Sequence, residues 1–203
     1  MKTLFKRSWL ALATAALLTG PLSGAEPAVN TNSLKAEIIV NRDTYELDPA
    51  TSGDEFFKQA IDKKRPARLP VPPKVDLVLR ISNLGAADRT LTMGGDELRV
   101  VLRLDGPGTL NLSPGLATTM EFRMGQPVVV KAGAHYDLPI KSLASGNRNI
   151  GQYSYWTKAG EPSLKATFTC GGGQDGRRVT LETKPVKLKV VEPAPPPAAV
   201  PPK

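Results

Sequence analysis

Val75, Leu77, Leu79 and Ile81 face one way along the chain, and Asp76, Arg80 and Ser82 face the other. A period of two marks a half-buried strand, and Asn83-Leu84-Gly85 supplies the turn that ends it. The alternation recurs. Leu98, Val100, Leu102 and Leu104 oppose Arg99 and Arg103 before a break at Gly106-Pro107-Gly108. Met120, Phe122 and Met124 oppose Glu121 and Arg123, which predicts a strand over Thr118–Met124 with those three apolar side chains in the core. Leu164, Ala166, Phe168 and Cys170 alternate with Lys165, Thr167 and Thr169. Val186, Leu188 and Val190 are predicted to point inward on a last strand, Val186–Val191; Lys187 and Lys189 point outward, where they discourage edge-to-edge pairing. Shorter strands are predicted at Lys35–Val40, Arg89–Met93, Thr109–Leu112, Val128–Val130, Tyr136–Ile140, Tyr153–Trp156 and Val179–Glu182. About eight to ten short strands at this spacing predict a mainly-β fold of two packed antiparallel sheets, with a barrel as the alternative.

One segment departs from the β pattern. Asp54–Lys64 carries Phe56, Phe57, Ala60 and Ile61 at helical spacing. Ser52 or Asp54 is predicted to cap its start, and Lys63-Lys64-Arg65 suits its C-terminal end. The prolines from Pro66 to Pro73 end it, so one short inserted helix over about residues 54–64 should lie across an end or edge of the sandwich.

The two ends of the chain differ from its middle. Lys2, Lys6 and Arg7 precede the apolar run Trp9–Leu18, Gly20-Pro21 breaks it, and Ser23-Gly24-Ala25 presents small residues. That is the pattern of a secretory signal peptide, and the run is too short for a bilayer span. The expected organisation is a signal peptide over 1–25, a flexible linker over 26–33, a sandwich over 34–192 and a Pro-rich tail over 193–203. The tail suits polyproline II or disorder. The expected location is therefore exported, periplasmic or extracellular.

Charge and cysteine content narrow the class further. The chain has 27 basic and 19 acidic residues, a formal charge of +8. Without Lys2, Lys6 and Arg7 the charge falls to about +5, which is ordinary for solubility and leaves no nucleic-acid stripe. No second long apolar segment follows, so no membrane span is expected. Cys170 is the single cysteine, so no intramolecular disulfide can form. Its place in an alternating run makes it a small buried hydrophobe at a strand end.

Candidate chemistry is sparse. His135 is the single histidine, which removes most routes to a nucleophile–histidine arrangement, and it alternates opposite Tyr136 and Leu138 toward solvent. Zinc spacing is absent. Met93, Met120, Met124 and His135 are the residues a copper site would use, but Met120 and Met124 bracket Phe122 on a predicted core face. Gly94-Gly95-Asp96-Glu97 and Gln174-Asp175-Gly176 are too poor in carboxylates for calcium. Gly171–Gly176 lacks the Lys-Ser/Thr of a phosphate loop and reads as a hairpin tip. Tyr153 and Tyr155 share a face opposite Trp156, so the three rings do not form a flat sugar-stacking platform. No catalytic, cofactor-binding or metal-ligating residue is assigned, and no cofactor is expected.

Val75–Asn83 resembles the second strand of bacterial Ig-like modules, which alternates and ends in Asn. Thr157–Phe168 resembles their late turn-and-strand segment, with Ala159 in the place of a Pro and Pro162 in the place of a Tyr. Pro127–Pro139 is similar to the strand–turn–strand element before it, with Ala132 for Pro. The chain thus resembles exported Ig-like β-sandwich proteins of planctomycete-type bacteria and, more distantly, proteinase-inhibitor-like Ig sandwiches. The resemblance implies an Ig-like antiparallel β-sandwich and an extracytoplasmic compartment, with no active site. The expected function is an exported, non-enzymatic binding or structural module of the bacterial cell envelope with no ligand assigned; the expected partner is another envelope protein or a protease. The alternative is a protease inhibitor or protease-protecting protein acting through an exposed loop, Gly94–Glu97 or Gly171–Gly176.

Overall fold

A computed structural model describes residues 33–62, 69–113, 121–147, 150–172 and 177–194. In chain order these form β1 (Leu34–Val40), β2 (Thr44–Glu46), α1 (Gly53–Asp62), β3 (Lys74–Asn83), β4 (Arg89–Met93), β5 (Arg99–Asp105), β6 (Thr109–Leu112), β7 (Gln126–Val130) and β8 (His135–Ser142). They continue with β9 (Ala144–Asn147), β10 (Ile150–Trp156), β11 (Ser163–Gly172), β12 (Arg177–Glu182), β13 (Val186–Lys187) and β14 (Lys189–Val191). The predicted signal peptide over 1–25, the predicted helix end at Lys63-Lys64-Arg65, the predicted hairpin tip at 173–176 and the predicted tail from 195 lie outside the described residues.

The predicted alternation builds the core. Leu77, Leu79 and Ile81 of β3 are fully buried, as are Leu164, Ala166, Phe168 and Cys170 of β11. These rows meet Leu102 and Leu104 of β5 and Leu91 and Met93 of β4 in one hydrophobic cluster. One layer is the antiparallel sheet β1-β3-β8. The other has the order β12-β11-β4-β7, with β5 continuing beside β11 where β4 leaves it. β1, β3 and β8 thus stand where an immunoglobulin domain has strands A, B and E, and β4–β5, β11 and β12 where it has C, F and G. After β1 the chain crosses over, and β2 pairs in parallel with β14. The fold is an Ig-like antiparallel β-sandwich with one short helix.

Asn83 joins the two layers. It is fully buried, and its side-chain amide donates to the carbonyls of Ala87, at 2.9 Å, and Val130, at 3.0 Å. Its Oδ1 accepts from the Gly85 amide at 3.0 Å. The end of β3 in one sheet is thereby tied to the end of β7 in the other.

A third, smaller sheet, β6-β10-β9, seals the outer edge of β5. It does so with side chains rather than a backbone ladder. Asn111 accepts from the Leu104 amide at 3.0 Å and donates to the Leu104 carbonyl at 2.8 Å. Ser145 Oγ accepts from the Leu102 amide at 2.9 Å, and Asn147 donates to the Leu98 carbonyl at 2.8 Å. A free strand edge is an aggregation risk, and these side chains occupy it.

β10 is covered on both faces. Trp156 lies in the main core, 5.4 Å from the Tyr45 ring centroid. Tyr155 faces the other way into a small cluster with Ala60 and Leu110, and Phe56 of α1 meets its ring edge-on at 5.3 Å. The helix therefore packs on the sheet, as its spacing predicts.

Several expectations need correction. Phe122 and Met124 are 56% and 77% exposed, and 121–125 is not a strand; of the strand predicted at Thr118–Met124, residues 118–120, with Met120, lie outside the described residues. The alternation there is real, but the segment runs over a glycine turn instead of into the core. Ile61 is 53% exposed, because α1 buries only the arc of Phe56, Phe57 and Ala60. Ser52 donates its hydroxyl to the Pro49 carbonyl at 3.1 Å and Asp54 pairs with Lys158 at 3.0 Å, so neither acts as the predicted cap. The predicted last strand, Val186–Val191, is two strands: at Leu188 the chain changes partners from β11 to β2.

Candidate functional site

The outer face of the β12-β11-β4-β7 sheet carries two concavities. The first, about 300 Å³, is lined by Thr92, Glu97, Met124, Pro127 and Gly171-Gly172. Its rim is the segment 121–125, which crosses the turn Gly94–Glu97. Asp96 and Arg123 bond reciprocally: the Asp96 amide donates to the Arg123 carbonyl at 2.8 Å, and the Arg123 amide donates to the Asp96 carboxylate at 3.0 Å. Gly95 has a φ of 60°, and a Cβ there would collide with the Arg123 carbonyl. Only glycine fits this close, left-handed approach. Asn147 adds a third tie to the Gly95 carbonyl at 3.1 Å.

This clamp holds Phe122 and Met124 out in water; Met124 lines the concavity with Pro127 of β7, and Val129, two residues further along that strand, is 58% exposed. Among the described residues β7 ends its sheet. The result is an apolar ledge along the sheet's margin. The Gly94–Glu97 turn beneath it spends its main-chain groups inside the protein.

The second concavity is a polar groove of about 490 Å³, lined among others by Arg103, Lys165, Thr167, Glu182 and Gln152. Arg103 and Lys165 are register partners on β5 and β11. Lys165 pairs with Glu182 of β12.

The remaining sequence candidates fall into place singly. His135 is exposed on β8, with Nε2 3.8 Å from the Asp137 carboxylate. Asp137 also takes a two-bond grip from Arg80, and that guanidinium holds its carboxyl below the ordinary value. Met93 is buried in the core on β4, Met124 is exposed, and His135 stands in the other sheet, so these copper candidates do not converge. Among the described residues no three of His, Cys, Asp and Glu gather to hold a metal, and no helix is long and apolar enough to cross a membrane. Gly171 and Gly172 end β11 opposite Arg178 and Arg177, as a hairpin requires. The Asn and Ser side chains that seal β5 carry no signal in the sequence, because an amide replacing a backbone ladder has no periodicity.

Burial pushes the Cys170 thiol up to about 12, and the Glu97 carboxylate adds to the effect. Burial likewise raises the Tyr155 phenol, whose hydroxyl donates to the Pro70 carbonyl at 2.7 Å. An unfolded thiol loses its proton near about pH 8.5, so the folded chain holds a proton there that the unfolded chain has released. Stability from this source is complete below about pH 8.5 and declines as pH rises toward the folded value. Urea midpoints should therefore fall between about pH 8 and pH 11, less steeply in Cys170→Ala. A thiol reagent at about pH 8 should label the unfolded chain only; prompt labelling of the folded chain would contradict this.

No protein-family model matches the chain, and no curated protein matches it. Among solved structures it is similar to the ASH / PapD-like domain of human CEP192 (PapD-like domain 7), at 9% identity over 92% of this chain and 99% of that one, with a TM-score of 0.24.

Proposed function

We infer that this protein is an exported, non-enzymatic binding module of the bacterial cell envelope, with another envelope protein as its partner. The observation that carries the reading is the apolar ledge. Phe122 and Met124 stand in water on a backbone locked by the Asp96–Arg123 bonds and the Gly95 approach, and Val129 stands exposed on β7. A lone chain gains nothing by holding apolar side chains outward on rigid backbone, whereas a partner that covers them gains their burial without an ordering cost. The positive start, apolar run and small residues of 1–25 support export. Protease inhibition through Gly94–Glu97 has less support, because that turn is tied down by two bonds to Arg123 and one from Asn147.

The test places a photo-crosslinking amino acid at Phe122 in cells, with Leu84, also exposed, as the control position. The chain should be recovered outside the cytoplasm starting at Glu26. The probe at Phe122 should give one adduct that the probe at Leu84 does not. Adding Met124→Ser should abolish the adduct without lowering the melting temperature. Retention of the intact chain in the cytoplasm would end the export reading, and equal adducts from both positions would end the ledge reading.

A further inference from the structure

The geometry points to the polar groove as a binding site for an acidic sugar, a carboxylate-bearing unit of an anionic glycan. The inference is independent of the ledge and of export. Arg103 and Lys165 stand directly opposite each other on β5 and β11, an arrangement that is unfavourable for like charges. Lys165 is relieved by Glu182, which sits opposite Thr167 one row along β12. Arg103 has no such relief: it makes no ion pair among the described residues and opens into the groove. The lining thus has two cations against one anion, with the unmatched charge on a guanidinium, whose planar fork fits a carboxylate.

The rest of the lining selects among anions. Thr167, Gln152 and Ser113 offer hydroxyl and amide groups suited to the hydroxyls of a sugar ring, and the volume of about 490 Å³ falls in the range of small-ligand sites. A peptide that adds as a strand would need a free strand edge. The edge of β5 is already occupied by Asn111 and Ser145, which rules out strand addition there.

Titration of the full chain with trigalacturonate, followed by amide chemical shifts, tests the assignment. Trigalacturonate should shift resonances of β5, β11 and β12, and neutral maltotriose should not. Arg103→Gln should weaken binding at least tenfold with an unchanged melting temperature. If that variant does not fold, Lys165→Gln should weaken binding several-fold. Absence of binding, equal binding of maltotriose, tighter binding of triglutamate, or an affinity indifferent to both substitutions would overturn the proposal.

Discussion

Replacing Asn83 with alanine should cost about 3–5 kcal/mol, a large share of the stability of a domain this size. The side chain is fully buried and answers three main-chain groups: two carbonyls, Ala87 and Val130, and the Gly85 amide. Each group left without a partner away from water costs about 1–3 kcal/mol. The main chain of Asn83 adds two further bonds, accepting from Gly133 and donating to Ala134, both at 2.9 Å. These survive the substitution and keep the turn from dissolving outright. Aspartate should be no better, since it can accept from Gly85 but sets a carboxylate against two carbonyls. Leu84, next in sequence and 65% exposed, is the control, and Leu84→Ser should change stability by less than about 0.5 kcal/mol. Chemical denaturation measures all three. A cost for Asn83→Ala below about 1 kcal/mol would mean that water replaces the side chain, and the two sheets would not depend on this residue for their junction.

Asn83 also shows what could be read from the sequence. Its place at the end of an alternating strand marked it, because period-two alternation is a local property that survives folding. The same is true of β3, β4, β5 and β11, whose inward rows are the core. The same local property misleads at Phe122 and Met124. Met120, Phe122 and Met124 alternate as a strand would, but burial is decided by what lies opposite, and there the chain is diverted by the Gly95 approach to Arg123. β2 and β9 carry no legible signal because Thr44–Glu46 has one apolar residue and Ala144–Asn147 is small or polar throughout. The polar groove was invisible, since Arg103 and Lys165 lie far apart in sequence and become neighbours only through the β5–β11 register.

Trp156→Ala should cost about 3–5 kcal/mol, and Trp156→Phe much less, about 1 kcal/mol. Trp156 is 2% exposed and packs on Tyr45, so truncation to alanine removes its dispersion contacts and opens a cavity between the sandwich and β10. Its indole nitrogen, however, is buried with no hydrogen-bond partner among the described residues. An orphaned donor already costs the native protein about 1–3 kcal/mol, and phenylalanine removes that donor while keeping an aromatic ring against Tyr45. Two effects therefore oppose each other in Trp156→Phe, a smaller ring and a relieved nitrogen, whereas in Trp156→Ala the cavity dominates. Tyr45 itself is fixed from both ends of its hydroxyl, donating to the Arg42 carbonyl at 2.6 Å and accepting from the Asp76 amide at 3.1 Å. It cannot move to fill the space, which keeps the alanine cost high. Circular dichroism should follow the unfolding, because the only other tryptophan in the sequence is Trp9, near the start of the chain, and both substitutions remove the tryptophan of the sandwich. Equal losses in the two variants would show that ring size, not the stranded N–H, sets the energetics at this position.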